Sequence, residues 1–229
     1  IAVIPFTLFN SVLSPGDSFL LYYTEAVNIS RLIVQDFSHI KWLYLPSIEF
    51  DQTLLKRPFN LGYLLSENNY MVVRITSVLS YLAMNKYVVL NLFFSMIAFS
   101  GAWRLYRFFY EQYPHLHKQF AIAILYLPTF VFWSASILKD PICTGAIGWI
   151  TYALYEIFYK KKNLISNTII ILIFGYLLFV IKVYILISYI PFFFLYLVLK
   201  NVKLMKSRIL RVTFVLGLIL LAVTMFTTV

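Results

Sequence analysis

Carboxylates that could act as an acid or a base are concentrated in one early stretch of the chain. Of the 9 Asp and Glu residues, residues 14–51 contain Asp17, Glu25, Asp36, Glu49 and Asp51. Asp17 follows a Ser-Pro-Gly break that ends an apolar run. A carboxylate at such an edge can accept a proton from a hydroxyl, bind a divalent metal ion beside a phosphate, or cap the next helix. Asp17 is therefore the first candidate for a catalytic base, with a helix cap as the alternative.

Glu25 and Asp36 lie further along, on one border of the polar face of a predicted helix. About three turns of helix, roughly 16 Å, separate them. They are too far apart to act on one atom of a substrate. We therefore expect both side chains to be solvated.

Cations that could bind a phosphate group occur at Arg74, Lys139 and Lys182. Lys139 and Asp140 follow Trp133 at the end of an apolar run, so Lys139 could bind the phosphate of a lipid carrier while Asp140 orients it or caps the next helix. Arg74 and Lys182 lie among apolar residues, where an ionised group is costly and is a functional candidate by default. The alternatives are an ordinary interfacial anchor for Lys139 and a side chain that reaches back to the interface for Arg74 and Lys182.

The composition places these residues in a membrane protein. The chain is 62% hydrophobic and 12% charged, whereas soluble domains average about 25% charged residues. The sustained alternation of polar and apolar residues that is typical of a membrane barrel does not occur in the sequence. Helices must therefore satisfy the backbone hydrogen bonds in lipid. The net charge of +10 does not indicate nucleic-acid binding, because Lys and Arg gather in short loops beside apolar runs. Cys143 stands alone, which excludes a disulfide framework or a cysteine metal site.

The apolar runs predict an all-α polytopic membrane protein with about seven transmembrane helices. Residues 1–13 are the first span, which is shorter than a full crossing and expected to be truncated. Residues 14–86 form a large outer loop, and residues 87–229 form a transmembrane bundle whose end is also expected to be truncated. The predicted spans of this bundle are residues 87–106, 120–138 with an internal break at Pro128, 142–159, two helices within 165–199 that turn near Lys182, and 209–229.

The outer loop is predicted to begin with an amphipathic helix at residues 18–40. Apolar residues such as Ala26, Ile29 and Ile33 recur with helical spacing, and polar residues fall opposite them. A helix of this kind lies on a membrane surface with its apolar face in lipid. A second, shorter amphipathic segment is predicted at residues 70–84.

Basic residues cluster at 104–118, 160–162 and 200–211. Alternate crossings place these clusters on one side of the membrane, which the positive-inside bias identifies as the cytoplasm. The candidate site residues then face the opposite side together. The expected location is a bacterial inner (plasma) membrane, with the site on its outer face.

A resemblance to a known family is carried by PGDSF at residues 15–19 with Tyr22-Tyr23, and by LPTFVFWSASILKD at residues 127–140. The order of one span, an acidic residue, a surface helix and a bundle of short-looped spans resembles the N-terminal half of GT-C superfamily glycosyltransferases. The resemblance implies a sugar donor linked to polyprenyl phosphate and Asp17 as the base that activates the acceptor. Ser18 stands where the family often has a second acid. Arg74, Lys139 and Lys182 would stabilise the charge of the departing phosphate.

Other functions are compatible with the same sequence. A non-catalytic subunit of a larger complex would use its aromatic surface and basic loops to hold membrane protein partners. A polysaccharide polymerase has a similar outline, and a flippase would need charged residues along a central path. The expected partners are membrane lipid and, for the transferase, a polyprenyl-phosphate-linked sugar. The one cofactor considered is a divalent metal ion beside Asp17.

Overall fold

A computed structural model describes residues 2–13, 15–57, 60–202 and Gly217. These residues are mostly helical and contain no strand, which confirms the all-α prediction. The chain divides into two compact units, Ile1–Ile181 and Lys182–Val229. The α-helices are α1 (Val3–Leu8), α2 (Thr24–Gln35), α3 (Leu61–Leu64), α4 (Glu67–Leu82), α5 (Tyr87–Gln112), α6 (His117–Leu125), α7 (Pro128–Trp133), α8 (Lys139–Tyr155) and α9 (Leu164–Val202).

The first helix, α1, continues as a π-helical turn over Phe9–Leu13. Together they form a short apolar helix, Val3–Leu13, at the position of the predicted first span. Phe6 is fully buried, and its ring lies 5.1 Å from the ring of Phe132 in α7. α1 also packs along α5, so this segment is anchored on the rest of the unit.

In the segment predicted to be the outer loop, residues 14–86, which we call the outer segment, the amphipathic helix begins as a π-helical turn over Ser18–Tyr23 and continues as α2. Ala26, Ile29 and Ile33 are buried, and α2 packs against α4. The apolar face predicted to lie in lipid is thus covered by protein, because a neighbouring helix can bury the same stripe. The helix ends at Gln35, before the predicted end at residue 40.

The second amphipathic segment, predicted at residues 70–84, is α4. Met84 and Asn85 follow it with positive φ angles of 51° and 58°, an uncommon conformation for residues other than glycine. This tight turn leads directly into α5, so the outer segment is held against the first residues of that helix.

The helices α5 and α8 pack closely through glycines. A Cβ atom at Gly148 would overlap the backbone of Gly101, and one at Gly145 would lie 2.9 Å from the carbonyl oxygen of Ile97. Small residues allow this close approach between helices in membranes. The two helices run in the same direction, since the start of α5 contacts the segment before α8 and the ends of the two helices meet.

The segment predicted as a span at residues 120–138 is interrupted at Pro128, as predicted, and its helix ends earlier than expected, at Trp133. It is split into α6 and α7, and residues 134–138 are not helical. Pro128 begins α7 because proline lacks a donor N–H and restricts the residue before it. Leu127 accordingly has an extended backbone, with φ −63° and ψ 116°. At the next predicted span, residues 142–159, the structure has a helix, α8, which continues as a π-helical end over Glu156–Lys160; its role as a membrane span stays a prediction.

The long helix α9 contains the predicted division near Lys182. The backbone there leaves helical values, with φ −149° and ψ 74°, and the boundary between the units falls at the same residue. In the described part of the chain, 2 helices are long and apolar enough to cross a membrane, Tyr87–Gln112 and Leu164–Leu197. The predicted span at residues 209–229 and the basic residues at 203–211 lie outside the described residues.

Candidate functional site

Asp17 lies at the N-cap position of the π-helical turn Ser18–Tyr23. Its side chain is exposed and makes no capping hydrogen bond, so the carboxylate is not used as a helix cap. π-Helical turns over Phe9–Leu13 and Ser18–Tyr23 lie on either side of it. Such turns are rare and occur frequently at functional sites. Asp17 is therefore presented to solvent between two π-helical turns, directly after the non-helical residues Pro15 and Gly16.

The residues after Asp17 are fixed to α4 and α5. Ser18 Oγ and Tyr87 OH lie 2.8 Å apart, and Tyr22 OH donates a hydrogen bond to Asn69 Oδ1 at 2.9 Å. The ring of Tyr23 lies 5.0 Å from that of Tyr87. These contacts join three parts of the chain, so the position of Asp17 is set by the packing of the outer segment.

Asp17 and Asp140 both act on the buried phenol of Tyr22. Burial raises the pKa of Tyr22, and the carboxylates of Asp17 and Asp140 raise it further, because nearby negative charge disfavours the phenolate. Tyr22 therefore stays protonated at neutral pH. The structure brings the two candidate carboxylates to one neighbourhood, which we call the Tyr22 site: Asp17, Ser18, Tyr22, Tyr87 and Asp140.

A buried asparagine in α5 positions the segment that leads to Asp140. Asn91 is fully buried. Its Nδ2 donates to Thr7 Oγ1 at 3.0 Å, and its Oδ1 accepts the backbone N–H of Ile137 at 3.0 Å. Asn91 was not among the residues predicted from the sequence, although a polar residue inside an apolar span is a signal for such a role.

An open groove of about 520 Å³ lies beside Asp140. Its walls are largely apolar, with hydroxyl groups among them, and include Leu127, Phe130, Trp133, Thr129, Ser134 and Asp140. A second apolar cavity of about 300 Å³ shares Phe130 and Ser134 with this groove. An apolar groove with a few polar groups among its walls suits a ligand with a hydrocarbon chain and a polar head.

Lys139 is the first residue of α8, partly buried and adjacent to Asp140. Its backbone therefore lies next to a member of the Tyr22 site. Lys182 is the first residue of the second unit. The phosphate-binding roles of both lysines stay predictions.

Arg74 is buried inside the outer segment with its partners already present. Its guanidinium donates to the carboxylate of Glu67 and to the carbonyl oxygen of Leu45, and it lies 4.4 Å from the centre of the Tyr70 ring. Burial alone would raise the pKa of Glu67, but the N–H of Ser47 and the guanidinium lower it overall. Arg74 thus organises the outer segment, and its predicted role toward phosphate stays a prediction.

The expectation that Glu25 is solvated is wrong. Glu25 is 0% exposed. Its carboxylate accepts the backbone N–H groups of Lys56 and Arg57, each at 3.1 Å, and Nδ2 of Asn60 at 2.8 Å. A loop distant in sequence covers the border position, and the hydrogen bonds offset the cost of burying the charge.

Asp36 is exposed, as expected, and begins a 3₁₀ helix over Phe37–Leu43. Its carboxylate accepts hydrogen bonds from the hydroxyl of Ser38 at 2.7 Å and from its N–H at 2.9 Å. These hydrogen bonds lower the pKa of Asp36. Asp36 therefore has a local capping role in this structure.

A metal site does not assemble from the residues that the structure describes. They contain no group of three or more His, Cys, Asp or Glu side chains that could hold an ion. Asp17 and Asp140 offer carboxylates near Tyr22, which is fewer oxygen ligands than Mg²⁺ or Ca²⁺ takes from a dedicated site. The divalent ion considered beside Asp17 thus lacks a full set of protein ligands in this part of the chain.

Charged residues at the opposite end of α5 join two of the basic clusters. Lys160 Nζ lies 2.6 Å from Glu111 Oε2, and Arg107 lies 3.5 Å from Glu111 Oε1. α5 has 26 residues, so about 39 Å of helix separates this end from Tyr87. The clusters at residues 104–118 and 160–162 thus meet at the end of α5 remote from the Tyr22 site.

The chain matches no protein-family model, no curated protein and no solved structure.

Proposed function

We propose that this chain is a membrane glycosyltransferase of the GT-C type, which transfers a sugar from a polyprenyl-phosphate carrier to an acceptor hydroxyl. The observation that carries the proposal is that the charges of Asp17 and Asp140 both raise the pKa of the buried Tyr22 phenol, together with an apolar groove that Asp140 lines. This reaction needs a carboxylate that can act as a base, which is the role proposed for Asp17, and a groove that suits a lipid carrier.

The proposal includes a polytopic arrangement in a bacterial inner membrane with about seven spans. α5 and α9 supply the long apolar helices, and α8 with its π-helical end adds a further crossing. The Arg- and Lys-rich end of α5 faces the cytoplasm under the positive-inside bias. The Tyr22 site then faces outward, at the boundary where the head of a carrier lipid lies.

In the proposed reaction, Asp17 accepts the proton of an acceptor hydroxyl as that oxygen forms a bond to C1 of the sugar. The bond between C1 and the phosphate oxygen breaks, and the phosphate leaves with the bonding electrons, so the configuration at C1 inverts. Lys139 balances the charge that develops on the phosphate, and Asp140 orients Lys139. Tyr22 contributes as a neutral hydrogen-bonding group, since tyrosine is protonated at neutral pH and the raised pKa of Tyr22 disfavours the phenolate further.

The test is Asp17→Asn in proteoliposomes given a radiolabelled undecaprenyl-phosphate hexose, with native membranes as the source of acceptor. Loss of a general base is expected to slow transfer by about a hundredfold or more. The control is Glu49→Gln, since the carboxylate of Glu49 is exposed and has no hydrogen-bond partner among the described residues. Circular dichroism checks that both variants fold. Full transfer by folded Asp17→Asn would exclude Asp17 as the base.

A second candidate is a non-catalytic subunit of a membrane complex. Large apolar side chains of the outer segment are exposed, including Val34 at 74%, Phe37 at 72% and Ile48 at 77%. Exposed apolar residues outside the spans suit a partner protein. Co-purification of a stoichiometric partner that Phe37→Ser releases, with no transfer activity in the complex, would support this candidate over the enzyme.

A further inference from the structure

Among the described residues, the guanidinium of Arg104 in α5 has aromatic partners but no hydrogen-bond acceptor. Its guanidinium lies 4.2 Å from the centre of the Trp149 ring and 5.1 Å from that of Tyr152. Within the described residues it makes no hydrogen bond or ion pair. Aromatic rings attract the cation but leave the donors at its edge unpaired.

The two rings are held in place by other contacts. Trp149 donates its indole N–H to Ser100 Oγ at 3.0 Å and stacks on Phe174 with ring centres 5.8 Å apart. Tyr152 is buried and donates its hydroxyl hydrogen to Glu111 Oε1 at 2.9 Å. The guanidinium of Arg104 therefore lies against two aromatic rings, Trp149 and Tyr152, whose positions are fixed by other contacts.

The depth of Arg104 along α5 places it at a lipid headgroup level. From Tyr87 to Arg104 the helix rises about 26 Å at 1.5 Å per residue, compared with about 30 Å for a hydrocarbon core. Trp103, Tyr106 and Tyr110 form a row of neighbouring rings along the same part of α5, with centres 5.5 Å and 5.9 Å apart. Trp and Tyr are enriched at membrane interfaces.

Among the described residues, the charged side chains around Tyr152 leave one excess positive charge. The cations are Arg104, Arg107 and Lys160, all close to the ring of Tyr152. The carboxylates are Glu111, which pairs with Arg107 and Lys160, and Glu156, 3.8 Å from Lys160. One phosphodiester group would balance the remaining charge.

We propose that Arg104, cradled by Trp149 and Tyr152, binds the phosphate of an anionic phospholipid in the leaflet at the basic end of α5. Unpaired donors at membrane depth must find acceptors, and a guanidinium presents paired N–H groups that match phosphate oxygens. Lipid binding of this kind needs α5 to span the membrane but does not depend on the transferase reaction. A failed transfer assay would therefore leave it intact.

The test measures phosphatidylglycerol binding to the detergent-purified full chain by native mass spectrometry, with phosphatidylcholine as the comparison lipid. Arg104→Gln is expected to raise the apparent Kd for phosphatidylglycerol by about tenfold, the effect of losing charge-assisted hydrogen bonds. Arg104→Lys, which keeps the charge but not the fork, is expected to lie between. The control is Lys118→Gln, since Lys118 is an exposed cation of the same basic cluster.

Unchanged phosphatidylglycerol binding by folded Arg104→Gln would overturn the proposal. An equal loss in Lys118→Gln would also overturn it, because binding would then depend on diffuse charge. Inorganic phosphate at millimolar concentration is added in a separate arm. If it alone displaces the lipid from the wild-type chain, the ligand is free phosphate and the lipid assignment fails. If Arg104→Gln does not fold, Arg104→Lys is compared with Lys118→Gln in the same way.

Discussion

Replacing Glu25 by Gln tests whether one buried carboxylate holds a loop of the outer segment. Oε1 of Glu25 accepts the N–H of Arg57 and Nδ2 of Asn60, and Oε2 accepts the N–H of Lys56. The amide introduced by Glu25→Gln retains one acceptor oxygen but turns a donor NH₂ group toward the other N–H. Glu25 is fully buried, so water cannot replace the lost acceptor.

The expected cost follows from these contacts. One hydrogen bond is replaced by a contact between two donors, and the remaining two lose the charge of their acceptor. With about 1.5–3 kcal/mol for a hydrogen bond to a charged group and about 1–3 kcal/mol for an unsatisfied buried group, the loop is destabilised by about 3 kcal/mol. This corresponds to an increase of about a hundredfold in its opening equilibrium.

Amide hydrogen exchange at Lys56 and Arg57 measures this opening directly, because each N–H is bonded to Glu25 and exchanges only when the loop is released. Both amides are expected to exchange about a hundredfold faster in Glu25→Gln, while amides in the middle of α5 are unchanged. Glu49→Gln is the matched control because its carboxylate is exposed. Exchange at Lys56 and Arg57 that stays within about threefold of the wild-type rate, or that rises equally in Glu49→Gln, would refute the reasoning.

Other predictions concern the packing of the first unit and its response to pH. Gly148→Leu is expected to force α5 and α8 apart and to lower the thermal midpoint by several degrees or prevent folding, because a Cβ atom there overlaps the backbone of Gly101. The control is Gly175→Leu, which is expected to leave the midpoint unchanged because Gly175 has open space around it. Asn91→Leu is expected to cost about 2 kcal/mol in denaturant unfolding, since it leaves the buried N–H of Ile137 without its acceptor; an unchanged unfolding midpoint would contradict this. Glu67 has a pKa below its usual 4.5 in the folded chain, so its contribution to stability is full above that value and is lost as pH falls through the lowered pKa. Thermal midpoints measured from pH 7 to pH 3 are therefore expected to fall less steeply in Glu67→Gln than in the wild type; parallel curves would contradict the assignment.

Helix positions could be predicted from the sequence because they depend on local spacing. The apolar stripe through Ala26, Ile29 and Ile33 located α2, and the apolar run after Lys86 located α5. The break at Pro128 was also predictable, since proline acts on its own and the preceding residue. What the same pattern could not reveal was the surface that covers α2, because lipid and a second helix bury an apolar stripe equally well.

The environments of individual charged residues were harder to predict. A helical wheel places Glu25 at a border, where a charged side chain meets solvent unless another segment covers it. The covering loop at Lys56 and Arg57 is distant in the sequence, so its presence cannot be derived from local spacing. The same holds for Arg74. Its apolar neighbours indicated that burying its charge is costly, but its partners Glu67 and Leu45 were not apparent from the pattern.

The sequence by itself determined an all-helical, strongly apolar chain, the positions of its main helices and the break at Lys182. These properties follow from hydropathy and backbone chemistry acting over a few residues at a time. Only the tertiary structure decided that Asp17 and Asp140 share the surroundings of Tyr22, that Asn91 holds the segment before α8, and that Glu25 is buried. Each of these depends on contacts between residues far apart in the chain, which exist only once the helices have packed.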